Sequence, residues 1–510
     1  MGSGRRETCE SSGRRTKQRI VLSQLKRTAV TGYLWQILGQ VGQRGVALLA
    51  IMILARFVSK EDLGVYGVAI SVITFIEMLR LGGVLQAFIA HPGDEEDAKD
   101  TVFWIALLLG VGYTAILFLG APAVASLFKS PDLLPILRVL SLTQLIDSFR
   151  LVPHALLLRR YRFREKSICD SVPVFIGAAA AVVSLAFLPE DKRVWCLVLM
   201  FLCRSLSAVV ITHLFLPHWP RATFDKAIGR TLAWNGFKIL MSNFPSGTLE
   251  QFLRPVVGLR AGMAAAGVFN LAYSTTTPAG MVSHAANWTL FPILARHAEQ
   301  AEKLRDYLLR ALKMVPLPAV ALLTWLILTA PDLIPLAFSE RWAPAAAPAQ
   351  WLSLAIILRS YTYVSINSML AAGRASPAIF IWWATLLLAV ALFLKWPLAE
   401  GDATTPARIV AVFYGFSCLL SLILDSVTFG LRPVAIARAL LPTAVSCGAA
   451  AAAASAVWAS GLLDAWPLLR LLVVTVVYTL TFLPICGKMM GGTWRSLFHP
   501  RGFKELLRVN

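Results

Sequence analysis

Charge is what this chain has least of. Only 15% of its 510 residues are Asp, Glu, Lys or Arg, against 57% hydrophobic, whereas soluble domains carry roughly 25% charged residues. That excludes an ordinary water-soluble fold and leaves a bilayer as the solvent. Acidic residues are the scarcer sign, 28 against 48 basic, for a formal charge of +20. On a soluble protein such an excess would point to nucleic acid. Here Lys and Arg punctuate apolar runs instead of gathering on one face, so no nucleic-acid partner is expected. Cysteine is sparse and unpaired: seven residues, none in a C-x-x-C motif and almost all inside apolar runs, indicate neither a disulfide framework nor a zinc site. The phosphate loop G-x-x-x-x-G-K-[ST] is missing, since Gly487-Lys488 is followed by Met489, which argues against ATP hydrolysis. No long connection that might house acceptor chemistry is present either. No catalytic residue, metal or cofactor is expected, and the chain does not read as an enzyme.

Apolar length is what the chain has in abundance. A spanning helix needs about 20 mostly apolar residues, and fourteen such runs can be marked, from 30–57 at the start, through 306–329 as the ninth, to 465–486 at the end. The ten-residue alternating segments of a membrane barrel are absent. The expected fold is therefore an all-α polytopic membrane protein of about 14 transmembrane helices. Residues 1–29, basic and rich in Ser and Gly, read as a disordered cytoplasmic tail. The first run is too long for a secretory signal and is expected to stay as a span. Most Lys and Arg fall in the even-numbered connections and at both ends, densest in Arg159-Arg160-Tyr161-Arg162-Phe163-Arg164-Glu165-Lys166. The bias of basic residues toward the cytoplasm then places both termini inside, with the acidic connection His91 to Asp100 a local exception.

The chain also repeats itself. Leu63-Gly64-Val65-Tyr66-Gly67-Val68-Ala69-Ile70-Ser71 aligns with Ala266-Gly267-Val268-Phe269-Asn270-Leu271-Ala272-Tyr273-Ser274 at an offset of 203, and Leu140-Ser141-Leu142 with Leu352-Ser353-Leu354 at 212. The offset covers six runs, an even number, so both copies enter the membrane from the same side. This predicts parallel-repeat six-helix lobes at 30–216 and 230–431, a linker at 217–229, two further helices at 434–486 and a basic tail at 487–510. Lobes of this kind suit alternating access with a substrate site between them.

Leu54-Ala55-Arg56-Phe57-Val58-Ser59-Lys60-Glu61-Asp62-Leu63-Gly64-Val65-Tyr66-Gly67, followed by Leu81-Gly82-Gly83-Val84-Leu85-Gln86-Ala87-Phe88-Ile89 and Leu156-Leu157-Leu158-Arg159-Arg160-Tyr161-Arg162-Phe163, resembles the polysaccharide transporter (oligosaccharide flippase) family of the multidrug/oligosaccharidyl-lipid/polysaccharide exporter superfamily. The resemblance is good over about 30–215 and mainly topological beyond. It departs at Pro189-Glu190-Asp191-Lys192-Arg193, where members often carry a Gly-rich turn. It implies two six-helix lobes in a V, and movement of an undecaprenyl-pyrophosphate-linked oligosaccharide across the bacterial cytoplasmic membrane, with membrane lipids and polysaccharide polymerase machinery as partners. A peptidoglycan-precursor flippase, a drug/cation antiporter of the same superfamily and a non-transporting scaffold are the alternatives.

Flipping breaks no covalent bond. Its barrier is the passage of a polar, anionic head group through hydrocarbon, so the residues to seek are ionisable side chains in mid-span. Gln36, Gln40 and Arg44, with Gln43 beside them, form a stripe on the first run. Ser71, Thr74, Glu77 and Arg80 form another on the second, and Lys238, Ser242, Ser246, Glu250 and Arg254 a third on the seventh. On the eighth, Asn270, Ser274, Thr277, His284 and Asn287 lie broadly together. Arg44 and Lys238 have no acidic neighbour within one turn and are the leading substrate-site residues, joined by Arg80, Gln40, Glu250 and Arg254. The fourth run carries Gln144, Asp147, Arg150 and His154, and Arg359 stands at the repeat position of Asp147. Asp147 and Arg359 read either as a gate pair or as members of separate structural pairs, while Glu77 with Arg80 and Asp147 with Arg150 have the spacing of helix-internal ion pairs. Asp147, Glu250 and Asp425 are the carboxylates available for proton or sodium coupling.

Overall fold

The computed structural model describes Trp35 and residues 39–90, 95–296, 300–461 and 465–490. Both expected tails, apart from residues 487–490, and Gln36 lie outside these residues, as do the side chains of Arg80, Ser242, His284 and Asn287. Helices dominate and no strand occurs among the described residues. They are α1 (Gly39–Leu54), then α2 (Lys60–Ala90), α3 (Glu95–Leu127), α4 (Leu133–Arg159), α5 (Phe163–Ser184), α6 (Val194–Phe215), α7 (Lys226–Ala261), α8 (Met263–Arg296), α9 (Ala301–Met314), α10 (Leu317–Phe338), α11 (Ala346–Ala371), α12 (Ala375–Lys395), α13 (Thr404–Phe429), α14 (Pro433–Ala459) and α15 (Pro467–Met490). Each of the fourteen apolar runs meets a helix. Among the described residues, nine helical segments are long and apolar enough to cross a membrane by length and composition.

The ninth run lies inside the candidate span Glu302–Phe338, which contains a break. The span expected at 306–329 is divided at Val315 and Pro316 into α9 and α10. In α9 the residues Leu304, Tyr307, Leu308, Ala311 and Leu312 are buried on one face, while Lys303, Asp306 and Arg310 are exposed on the other. Such a helix is two-faced, with only its inner stripe apolar.

The chain divides into two compact units. The first comprises Met1–Ile51, Ile76–Val124 and Leu134–Met241, and the second Met52–Phe75, Ala125–Leu133 and Ser242–Asn510. In the first unit, Val84 and Phe88 of α2 pack with Val102, Phe103 and Ala106 of α3, Val152 and Leu156 of α4 and Leu232 of α7. The connection after α6 is strapped to the start of α3. The Trp104 indole donates to the Arg221 carbonyl at 2.9 Å, the Asp225 amide to Thr101 Oγ1 at 3.0 Å, and Thr223 Oγ1 to Asp100 at 3.4 Å. Asp225 then accepts from the amides of Ala227 and Ile228 at 2.7 and 3.0 Å, capping the first turn of α7.

In the second unit, α14 and α15 are fastened to α10. Arg470 grips Asp332 with both arms of its guanidinium, Nε to Oδ2 at 2.9 Å, and lies 4.0 Å from the Trp458 ring centroid. Trp325 Nε1 donates to Thr475 Oγ1 at 3.0 Å and Tyr478 to the Ala321 carbonyl at 2.9 Å. The same unit gathers residues 52–75 with the starts of α8 and α11. Arg56, just past α1, donates to the carbonyls of Leu336 and Ala337 in the last turn of α10 at 3.4 and 3.3 Å. Arg341 and Trp342, just past α10, donate to the Ala55 carbonyl, the indole at 2.7 Å. Each helix end is thus capped by the residues that follow the other, which satisfies carbonyls no helix can satisfy internally. Beside this exchange, α2 and α8 touch backbone to backbone at Gly64 and Gly267.

Candidate functional site

Within the first unit five helices surround a polar cavity of about 400 Å³. Gln40 and Gln43 come from α1, Glu77 from α2, Asp147, Arg150 and His154 from α4, Asp170 from α5, and Arg204 and Ser205 from α6. The i, i+3, i+7 spacing of Asp147, Arg150 and His154 turns all three toward one side of α4. α1 comes close because Gly39 has no side chain: a Cβ there would sit 2.3 Å from Ser167 Oγ. That hydroxyl instead donates to the Trp35 carbonyl at 2.8 Å, and Gln43 Nε2 donates to Ser171 Oγ at 3.1 Å.

Asp170 is the hub. Its carboxylate receives Arg150 from α4, His154 Nε2 at 3.0 Å and Lys166 Nζ at 2.7 Å. Arg150 is held from two more sides, donating through Nε to Thr212 Oγ1 at 3.3 Å and through Nη2 to the Cys169 carbonyl at 3.2 Å. One carboxylate thus gathers a guanidinium, an ammonium and an imidazole, while the carboxylates of Glu77 and Asp147 line the same cavity. Across the cavity Asp147 accepts from Ser205 Oγ at 2.6 Å, and Arg204 lies 4.6 Å from the Phe201 ring centroid. The lining therefore offers fixed donors and acceptors in a small volume, the kind of environment in which charged groups interact strongly. It can bind and orient an ionic or heavily hydroxylated group.

Of the residues singled out in the sequence, Gln40, Gln43, Glu77, Asp147, Arg150 and His154 come together here. Arg150 takes Asp170 as its ion-pair partner, rather than the Asp147 one turn away on its own helix. Arg44, one turn beyond Gln40, is exposed and makes contacts of its own. Lys238 is exposed on α7 with Nζ 5.3 Å from the Trp234 ring centroid. Arg80 belongs to the first unit, and Glu250, Arg254, Arg359 and Asp425 to the second. There Glu250 accepts from Arg359 Nη1 at 2.6 Å and Tyr363 at 3.5 Å. Arg254 donates to Ser71 Oγ at 3.3 Å and lies 4.8 Å from the Tyr273 ring centroid, and Asp425 is wholly buried. Asp147 and Arg359 thus each hold a partner within their own unit.

Asp170, Lys166, Arg204 and Ser205 were not singled out as site residues. One signal was present for the first two: Lys166 and Asp170 stand at i, i+4, and an Asp inside an apolar run asks for a partner.

The family model described as polysaccharide biosynthesis protein matches residues 53–347. The succinoglycan biosynthesis transport protein ExoT of Rhizobium meliloti is 25% identical over 362 residues, 70% of this chain and 71% of that protein. The lipopolysaccharide biosynthesis protein WzxC of Escherichia coli is 24% identical over 352 residues, 66% and 68% of the two chains. Among solved structures, lipid II flippase MurJ in an inward closed conformation superposes with a TM-score of 0.71 at 14% identity, over 91% of this chain and all of the other. An inward-facing multidrug resistance transporter gives 0.63 at 15% identity, over 76% and 94%. These two likenesses are of fold, and the fold is that of the multidrug/oligosaccharidyl-lipid/polysaccharide exporters. With its many apolar helices and a matched segment covering more than half its length, the chain is a multi-pass membrane protein that belongs to the polysaccharide biosynthesis protein family.

Proposed function

We propose that this protein moves undecaprenyl-pyrophosphate-linked oligosaccharide units from the inner to the outer leaflet of a bacterial cytoplasmic membrane, with both chain ends in the cytoplasm. The observation that carries the reading is the ring of donors around Asp170, with Arg150 and His154 on the cavity wall and Lys166 beside them, in a cavity that Arg204, Glu77 and Asp147 also line within an otherwise apolar chain. A single charged side chain at the bilayer centre costs about 3 kcal/mol on insertion scales, and a diphosphate carries more than one charge. Arg150, His154 and Lys166 already converge on one oxyanion, and Arg150 presents the planar fork that suits phosphate oxygens. An arriving diphosphate competes with Asp170 for these donors, while Gln40, Gln43 and Ser205 answer sugar hydroxyls. No bond is made or broken, so the residues bind and shield rather than react.

The test is export of surface polysaccharide in cells carrying Arg150→Gln, Asp170→Asn or both as the sole copy. Arg150→Gln lowers surface polymer and causes lipid-linked oligosaccharide to accumulate in the membrane, with the chain present at wild-type level. Undiminished export in the double variant would refute a transport role for this cavity and favour a non-transporting scaffold. The likeness to the lipid II flippase is one of fold and assigns no cargo.

A further inference from the structure

Three mid-span carboxylates were available for ion coupling, and their surroundings differ. Glu250 is bound to Arg359 and Asp147 to Ser205 beside Arg204. Asp425 stands apart. It is 0% exposed, its Oδ2 accepts from Ser365 Oγ at 2.6 Å, and its Oδ1 is buried with no hydrogen-bond partner. No Lys, Arg or His among the described residues forms an ion pair with it.

The cations that reach this end of α13 are committed elsewhere: Arg305 of α9 donates to the Phe429 carbonyl and Arg374, just before α12, to the Thr428 carbonyl. α13 itself adds Cys418, Tyr414 and, in its first turns, Arg408, which is exposed and lies 5.6 Å from the Trp351 ring centroid. On α11 the titratable groups are Arg359, Tyr361 and Tyr363, of which Arg359 is paired with Glu250. α12 brings only Lys395, at its last position, and α14 brings Arg438 and Cys447. A carboxylate charge enclosed this way is shut off from bulk solvent and forms no ion pair among the described residues, which is costly unless the group is neutral or changes its surroundings. One carboxyl and one hydroxyl are also too few oxygens to replace the shell of a metal cation.

We propose that Asp425 is a proton-binding site that couples transport to proton movement, with Oδ1 as the atom that takes up and releases the proton and Ser365 as the fixed donor to Oδ2. The proton leaves to water when α11 and α13 part enough to wet Oδ1, and returns before they close. A polar row continues from the site. Ser421, Ser417 and Tyr414 precede Asp425 at helical spacing on α13, all buried, and Ser417 Oγ too has no partner. Tyr414 in turn lies 5.6 Å from the Arg359 guanidinium, so the row leads toward the Glu250 pair.

The inference rests on the transport reading, and the experiment separates the two. Infrared difference spectra of the purified full chain across a pH jump need no cargo. Wild type shows a protonated-carboxyl carbonyl band that vanishes in Asp425→Asn and shifts in Ser365→Ala. A spectrum unchanged by Asp425→Asn overturns the proposal. In proteoliposomes holding a lipid-linked oligosaccharide, an imposed pH gradient speeds wild-type export, and Asp425→Asn, equally stable to heat, loses that stimulation entirely. Equal stimulation in the variant, or none in wild type, also overturns it. Absence of any export by wild type would instead strike the transport reading and leave the infrared result standing.

Discussion

Gly64 and Gly267, which are 203 residues apart and hold matching places in the two copies of the repeat, lie against each other's helix. A Cβ on Gly64 would come 1.9 Å from the Met263 carbonyl oxygen, and a Cβ on Gly267 would come 1.9 Å from the Lys60 carbonyl oxygen. Lys60 and Met263 are themselves 203 apart, so the contact is reciprocal about the repeat. Backbone cannot swing aside as a side chain can. Gly64→Ala is therefore expected to destabilise the chain by at least about 1–3 kcal/mol, read as a lower unfolding temperature in detergent. Gly42→Ala, where nothing lies within 4 Å, should be neutral or stabilise by up to about 1 kcal/mol, since alanine is the better helix former.

Asp170 invites a double-mutant cycle. Asp170→Asn strands Arg150 and Lys166 and is expected to cost about 3 kcal/mol. Lys166→Ala removes one of three donors and should cost less than about 1 kcal/mol. Once Asp170 is gone, Arg150→Met should cost far less than it does in wild type. Additive losses would show that the four side chains do not act as one cluster.

Arg470 holds Asp332 by two bonds and stacks on Trp458, a geometry that one ammonium cannot reproduce. Arg470→Lys is expected to cost about 1–3 kcal/mol and to make the segment from α14 onward the first to yield to protease. Uniform cleavage along the chain would contradict this.

His218 supplies the pH dependence. Burial, the largest influence, holds its imidazole below the ordinary histidine range, although Asp100 opposes this from 3.6 Å away. Because the folded value is depressed, the strap at 217–225 is firm above the free imidazole value near 6.5 and loses stability as pH falls below it. Hydrogen exchange across 217–225 should quicken between about pH 7 and pH 5 relative to α3. His218→Gln should flatten that profile.

How far the sequence could be read depended on what each signal encodes. Apolar length marks where helices lie, because the lipid requirement acts on each segment separately. It did not reveal the break at Val315 and Pro316 inside the ninth run, because an apolar count does not register where one helix stops and the next begins. Spacing also revealed which residues share a face: Asp147, Arg150 and His154 reach the cavity together. Partner choice between helices was illegible. Arg150 had Asp147 one turn away, but selected Asp170 across the gap, since only packing of α4 on α5 decides which carboxylate the guanidinium meets. Gln144, on the same row, is buried outside the cavity lining because the row drifts around the helix.

Arg56 and Arg341 cap each other's helix ends. Neither copy of the repeat is therefore self-sufficient at this end. Synthesised alone, the earlier copy would leave the Ala55 carbonyl, and the later copy those of Leu336 and Ala337, to be served by solvent. Cutting the chain between these two segments would therefore loosen both helix ends at once, because each supplies the donors that the other end lacks.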